Sequence, residues 1–330
     1  MTDLQTIQRL AEKIYYEHPD PVVRFILLRD IFHEPSTSLE LIISQLELKK
    51  SRWVHLLENE QWLDGSWGRL HSKDSKSKQV TPTTEYAVER ALCLGLNPEH
   101  YLLQNASRYL IKILEGRIKC RDREELNDRW DTGVQLFAAS SLARITFEAK
   151  ILDDIWQLWL DITRRTFTNG FYDPIAEIRA HRDLTGASVK NSYLVLNNKY
   201  TLTLLSSRLD QIPANLEKAL LNWLWSKQDG IGYLGVSLSQ LPSVNKAGQL
   251  ERWFTSIELV SRFPGWVTFS EDIIAWLWNI QNSDGYWDLG PKSTSSVTLP
   301  LSDNWRRKGA RQIDWTTRVL LLLMAYYSRI

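Results

Sequence analysis

Carboxylates and aromatic rings stand side by side at the points of this chain where helices are expected to begin. Glu85 adjoins Tyr86, Asp128 and Asp131 flank Trp130, Asp314 adjoins Trp315, and Trp253 holds the same position in a further segment. A carboxylic acid whose pKa is raised by burial can hand a proton to an alkene, and aromatic faces attract the cation that results. Asp131, Asp128, Asp314 and Glu85 are therefore the candidate acids, and Trp130, Tyr86, Trp253 and Trp315 the candidate cavity lining. The plainer alternative is that the acids cap helices and the rings pack.

A second group is basic. Arg306, Arg307, Lys308 and Arg311 cluster ahead of the last expected helix, His181 and Arg182 fall in an expected loop, and Arg252 opens another helix. His181, Arg182, Arg252 and Arg311 are the candidates for holding an anion such as a diphosphate or a carboxylate; solvated loop charge is the alternative.

These residues are positioned by a repeat. Asp-Gly or Asn-Gly followed by an aromatic or aliphatic stretch recurs at Asp64, Asn169, Asp229 and Asp284, at intervals of 105, 60 and 55 residues. A unit of that size with one faded copy near Gly116 signals a repeat architecture. Each pair follows a segment with apolar residues at helical spacing (SRWVHLLENEQW, ILDDIWQLWLDITRRTF, LEKALLNWLWSKQ, EDIIAWLWNIQ). After a loop comes a second helix: TTEYAVERALCLGL, DTGVQLFAASSLARI, NSYLVLNNKYTLTLL, ERWFTSIELVSRF or DWTTRVLLLLMAYY.

With a helix over 3–17, another over 20–32 and a potential extra one in SLELIISQLE, the chain reads as all-α, an (α/α)6 toroid of about twelve helices. The second set is the more continuously apolar and is expected to form the inner ring. The loops leading into it, about 61–82, 116–130, 167–190, 228–250 and 282–313, are long and carry more Lys and Arg than Asp and Glu. Inner-helix N-termini would add their partial positive charge at the same face. Residues 1–330 are expected to form one domain, closed by 1–19 as an outer helix.

The words QWLDGSWG at 61–68 and QNSDGYWDLG at 281–290 resemble the QW motifs of the terpenoid cyclase and protein prenyltransferase superfamily, and WLWSKQDGIGYLG does so more weakly. RWDTGVQLFAASSLARI is similar to a helix opening of the squalene–hopene cyclase toroid, and the chain as a whole resembles bacterial single-toroid squalene-cyclase-like proteins. The resemblance implies acid-initiated cyclisation or isomerisation of an isoprenoid in a central cavity. Such cyclases carry Asp-x-Asp-Asp with the middle Asp as acid; here Trp130 takes that place within Asp128-Arg129-Trp130-Asp131-Thr132. Either Asp131 or Asp128 has taken over the proton, or the chain does not begin a reaction that way. Gln61, Trp67, Gln281 and Trp287 are expected to staple neighbouring hairpins.

No cofactor is expected. Magnesium would enter only with a diphosphate substrate, and Asp153-Asp154 lacks the last acid of the magnesium motif. Cys93 and Cys120 follow no metal spacing, which disfavours zinc. Apolar content of 43% with 24% charged residues suits a globular chain with a sizeable core. The opening residues do not read as a targeting segment and the two cysteines suit a reducing compartment, so a cytoplasmic location is expected. The longest apolar run, 319–327, is too short to span a bilayer, leaving peripheral membrane contact open. A net charge of +1 predicts no partner by itself, and nucleic acid, which has only the modestly basic loops in its favour, is not an expected partner.

The expected partner is a small apolar or isoprenoid ligand; oligomeric state is not legible. The alternatives are a non-catalytic toroid holding an apolar or anionic ligand or a protein partner, and a glycosidase ring with paired acids.

Overall fold

The computed structural model describes residues 3–189, 192–244, 246–292 and 296–330. Among them the chain is all-α, with no strand and a single bridge between Asn198 and Gly232. Fourteen α-helices follow in order: α1 Asp3–Tyr16, α2 Pro21–Ile26, α3 Leu39–Leu48, α4 Arg52–Glu60, α5 Thr84–Cys93, α6 Tyr101–Leu114, α7 Trp130–Ile145, α8 Leu152–Thr166, α9 Pro174–Thr185, α10 Lys199–Leu205, α11 Ala214–Ser226, α12 Ala247–Val260, α13 Glu271–Asn279 and α14 Lys308–Tyr327. After α2 the backbone widens over Leu27–Ile31, where Phe32 N reaches back five residues to Leu27 O.

Two kinds of helix occur. α6 buries Leu102, Leu103, Ala106, Tyr109, Leu110 and Ile113, one stripe of an amphipathic helix. α7 instead buries an unbroken run from Leu136 to Ala143, so no face of it is free for water. α14 likewise buries the whole of Asp314–Leu320. Only a helix surrounded by others tolerates that composition, and α7 accordingly packs on α5, α6, α8 and α10. The first helix packs along the last, α1 on α14, and Lys13 Nζ donates to Asp284 O at 2.7 Å.

The repeated words form the same bonds twice. Trp67 Nε1 donates to Leu57 O in the last turn of α4 at 2.8 Å, and Trp287 Nε1 donates to Leu277 O in the last turn of α13 at 2.7 Å. Trp67 N and Trp287 N donate to the hydroxyls of Thr84 and Thr316, both at 3.0 Å. Gln61 Nε2 folds back on Gly65 O at 3.1 Å and reaches Leu102 O at 2.9 Å, while Gln281 Nε2 folds back on Gly285 O. The indole, not the glutamine amide, thus donates to a last-turn carbonyl of the preceding helix, where Leu57 O also accepts from Gln61 N, and each word ties one helix to the next loop. Gly65 takes a left-handed φ of +93°, and a Cβ there would stand 2.3 Å from Asn105 O.

Two stretches depart from expectation. Residues 174–185, expected within a loop, form α9, because Asp173 caps Ile175 N and Ala176 N, with Pro174 supplying a first-turn φ. The following helix starts only at Lys199, where Asn198 accepts from Tyr200 N and Thr201 N; Asn191, its expected cap, lies outside the described residues. No helix among the described residues is long and apolar enough to cross a membrane.

Candidate functional site: a charged central cavity

Six helices contribute to one cavity of about 290 Å³: α2, α5, α7, α10, α12 and α14. Aliphatic carbons of Ile26, Val88, Leu259, Leu321 and Leu322 share its lining with charged groups. Tyr200 is the one aromatic residue of that lining. The expected wall of indoles is absent: Trp253 and Trp315, expected at helix starts, stand about two turns into α12 and α14 and are buried between helices, and Trp130 borders a separate depression.

Ion pairs bridge the lining helices. Arg144 Nη1 of α7 meets Glu89 Oε1 of α5 at 2.9 Å. Burial alone would raise the Glu89 pKa, but Arg144, Lys199 and Arg262 outweigh it and hold the carboxyl below its ordinary value. Arg318 of α14 sits between Glu258 (2.5 Å) and Glu251 (3.0 Å) of α12, with its guanidinium over the rings of Phe254 and Trp315. Burial opposes its charge, yet Glu258 and then Glu251 more than compensate and raise its pKa. Burial pushes the Cys93 thiol up, so it faces the cavity as a neutral group.

At the α5 start lies a second cluster. Thr83 caps the helix by accepting from Tyr86 N, which leaves Glu85 in the first turn facing the cavity. Tyr200 donates its hydroxyl to Glu85 Oε1 at 2.8 Å, and Lys199 Nζ stands 3.7 Å from the same oxygen. His71 Nδ1 lies 2.9 Å from the Tyr200 oxygen and 3.1 Å from Glu85 Oε2, so a proton on Nδ1 is shared between them.

Burial, then Glu85, raises the Tyr200 pKa well above its ordinary value, so the phenol stays protonated. His71 stacks on Phe137 with centroids 4.1 Å apart and meets Tyr200 and Tyr233 edge-on. Its backbone is pinned by Asp122, which accepts from Leu70 N, His71 N and Ser72 N. Carboxylate, phenol and imidazole in mutual hydrogen-bond reach at a cavity wall can pass a proton.

Of the residues singled out from sequence, Glu85 alone lines this cavity. Asp314 is buried and accepts from Leu301 N, Ser302 N and the Ser302 hydroxyl, which folds the preceding loop onto α14; burial pushes its pKa up to about 7. Trp315 donates to Gly290 O at 2.8 Å, and Tyr86 donates to Ser296 O at 2.9 Å. Trp253 is buried edge-on to Phe254 and Trp276.

Trp130 and Asp131 border a separate depression with Cys120, Asp122 and Glu124. Asp131 lies inside the first turn of α7, whose cap position belongs to Arg129, so it is not the helix cap either. Asp128 accepts from Ser188 N at 3.0 Å.

The anion candidates scatter. His181 is fully buried in α9, edge-on to Trp159, and burial lowers its pKa to about 4. Arg182 is exposed on the same helix and Arg252 is exposed on α12. Arg311 is held by Asp288 in a two-pronged pair at 2.8 and 2.7 Å. Among the described residues no group of three or more His, Cys, Asp or Glu could hold a metal ion. Asp153, from the acidic pair, binds Arg208 at 2.8 Å instead.

No protein-family model, curated protein or solved structure matches the chain.

The other charged and phenolic residues of the lining, Glu89, Arg144, Tyr200, Glu258, Arg262 and Arg318, and His71, which touches the lining through Glu85 and Tyr200, are not among the candidates that the sequence offers. A signal was present: Glu89, Arg144 and Arg318 interrupt the most continuously apolar helices, where a charge needs a partner.

Proposed function

We propose that the chain is a single ring of paired helices of the terpenoid-cyclase-like kind, whose central cavity takes a small amphiphilic molecule and moves a proton on it through Glu85. The ring reading is supported by the six helices that share the cavity and by the matching bonds of Trp67 and Trp287. The proton-transfer reading rests on one observation: Glu85 lines the cavity while bonded to Tyr200 and within reach of His71.

The lining favours isomerisation over polycyclisation. Its volume is at the small end of ligand pockets, which run from about 300 to 1,000 Å³. Hydroxyls, carboxylates and the Cys93 thiol around it would capture a long-lived carbocation. In the step that fits, the Glu85 carboxylate, which accepts from Tyr200, takes a proton from a carbon beside the double bond, breaking one C–H bond, and returns it to the far alkene carbon, forming another, so that the double bond moves by one position. Tyr200 and His71 hold the carboxyl in place and can share its proton. A cytoplasmic setting suits the two free thiols, Cys93 and Cys120.

Incubation with short isoprenoid alcohols, acids and diphosphates in deuterium oxide, followed by mass spectrometry, tests this reading. Deuterium entering carbon in the native protein but not in Glu85→Gln is the expected result. A retained ligand without any carbon-bound deuterium would favour the second reading, a ring that binds without turnover, which the ion pairs of Arg144 and Arg318 also suit as purely structural ties.

A further inference from the structure

Every cavity cation but one has a carboxylate beside it. Arg144 has Glu89, Lys199 has Glu85, and Arg318 has both Glu251 and Glu258. Arg262 lines the same cavity without forming an ion pair among the described residues. A guanidinium has five N–H donors, and the contact seen for this one is a long 3.5 Å approach of Nη1 to the Ser206 hydroxyl.

The ordinary reason for an arginine just past a helix end is to cap the last carbonyls. Here the carbonyls of Ile257, Leu259 and Val260 accept from the backbone N–H groups of Ser261, Arg262 and Phe263, and the turn that follows is held by Arg329, which donates to Ser261 O, Arg262 O and Phe263 O, so the Arg262 side chain has neither task. Burial, and then the neighbouring Arg144, bring the Arg262 pKa down to about 10, so the site holds a positive charge against its own solvation cost. Ser141 and Thr203 present hydroxyls to the same space.

We propose that Arg262, supported by Arg144, is an anion subsite of the cavity, and that the ligand carries a single carboxylate or phosphate at one end of an apolar body. The four cations face four carboxylates, Glu85, Glu89, Glu251 and Glu258, so the cluster is balanced overall and what Arg262 offers is free N–H donors rather than surplus charge; one guanidinium matches one such head group, and a diphosphate would bring more negative charge than it can meet. The aliphatic lining from Ile26, Leu259, Leu321 and Leu322 suits the remainder of the molecule. The inference rests on the reading of this cavity as a ligand site, but not on any reaction at Glu85.

Calorimetry of the full chain with octanoate, octyl phosphate and octanol tests it. The two anions should bind at least about tenfold more tightly than the alcohol, the worth of one charge-assisted hydrogen-bond pair. Arg262→Gln should erase that preference, bringing the anions to within about threefold of octanol, and Arg262→Lys should restore part of it. Equal binding of octanol and the anions by the native chain overturns the proposal without need of any variant, as does an unaltered anion preference in Arg262→Gln. Binding of octanol alone would sink the anion subsite yet leave proton transfer on neutral alkenes open to the deuterium experiment. Carbon-bound deuterium without anion preference separates the two readings in the same way.

Discussion

Tyr200 reaches across from the first turn of α10 to donate its hydroxyl to Glu85 in the first turn of α5, 2.8 Å away. Two helices more than a hundred residues apart in sequence are joined at the cavity wall by one proton. If that proton position matters for chemistry, Glu85→Gln should lower deuterium transfer by about 10² to 10⁴, the usual worth of a general acid or base. Tyr200→Phe should lower it less, because His71 and Lys199 still hold the carboxyl. Thermal melts of both variants should stay close to the native one, since each swap conserves shape. A loss of transfer that only follows a loss of fold would remove the catalytic assignment.

Arg318 carries the packing of α14 against α12. Its side chain is 4% exposed and its two carboxylate partners stand two turns apart on α12. Arg318→Met leaves Glu251, itself 4% exposed, without its cation. An uncompensated buried charge of this kind costs about 3–5 kcal/mol. Urea unfolding should show that drop, and replacing Glu251 by Gln in the same chain should recover part of it. A drop under about 1 kcal/mol, the range of an exposed pair, would mean the cavity is wetter than its geometry implies.

Trp67 and Trp287 should prove equivalent. Each indole closes the last turn of one helix, and each backbone N–H docks on a threonine of a later helix. Trp→Phe at either position keeps most of the apolar contact but removes one hydrogen bond, a loss of about 0.5–1.5 kcal/mol, because Leu57 O, for one, keeps the backbone N–H of Gln61. Gly65→Ala should cost about 2 kcal/mol or more, because the left-handed φ and the Asn105 carbonyl both resist a Cβ. Chemical denaturation of the single variants would check the match; a tenfold difference in unfolding constants between the two tryptophan variants would show that the repeated words do unequal work.

These staples were legible because the same residue types recur at the same spacing, and a repeat in sequence implies a repeat in bonding. The all-α class was legible from periodicity. What was not legible came from partners distant in the chain. Glu89 and Arg144 are 55 residues apart, and Arg318 and Glu258 are 60 apart, so no local window contains either pair. His71 lay inside a loop rich in Ser and Lys; only the fold reveals that Asp122 pins its backbone and Phe137 stacks its ring. The acids at helix starts misled for a related reason. Glu85 does lie in the first turn of α5 and turns to the cavity, whereas α14 begins at Lys308, so Asp314, expected at the helix start, is its seventh residue and turns to the loop that precedes the helix.

Two buried groups give the protein opposing responses to acid. His181 is buried among apolar neighbours and its pKa falls from 6.5 to about 4. Between those values the unfolded chain binds a proton that the folded one refuses, so this group takes away stability as pH falls, about 1.4 kcal/mol per pH unit. Asp314 behaves in reverse, its pKa rising from 3.8 to about 7 by burial. Between those values the folded chain holds a proton that the unfolded one releases, so this group adds stability as pH falls, at a similar slope.

From about pH 6.5 down to 4 the two contributions cancel in the native chain. They separate by substitution. His181→Leu should become more stable toward pH 4, while Asp314→Asn should become less stable over the same interval, and their urea midpoints plotted against pH should diverge in opposite directions. Parallel curves for the two variants would mean that neither group titrates inside the fold as its surroundings dictate.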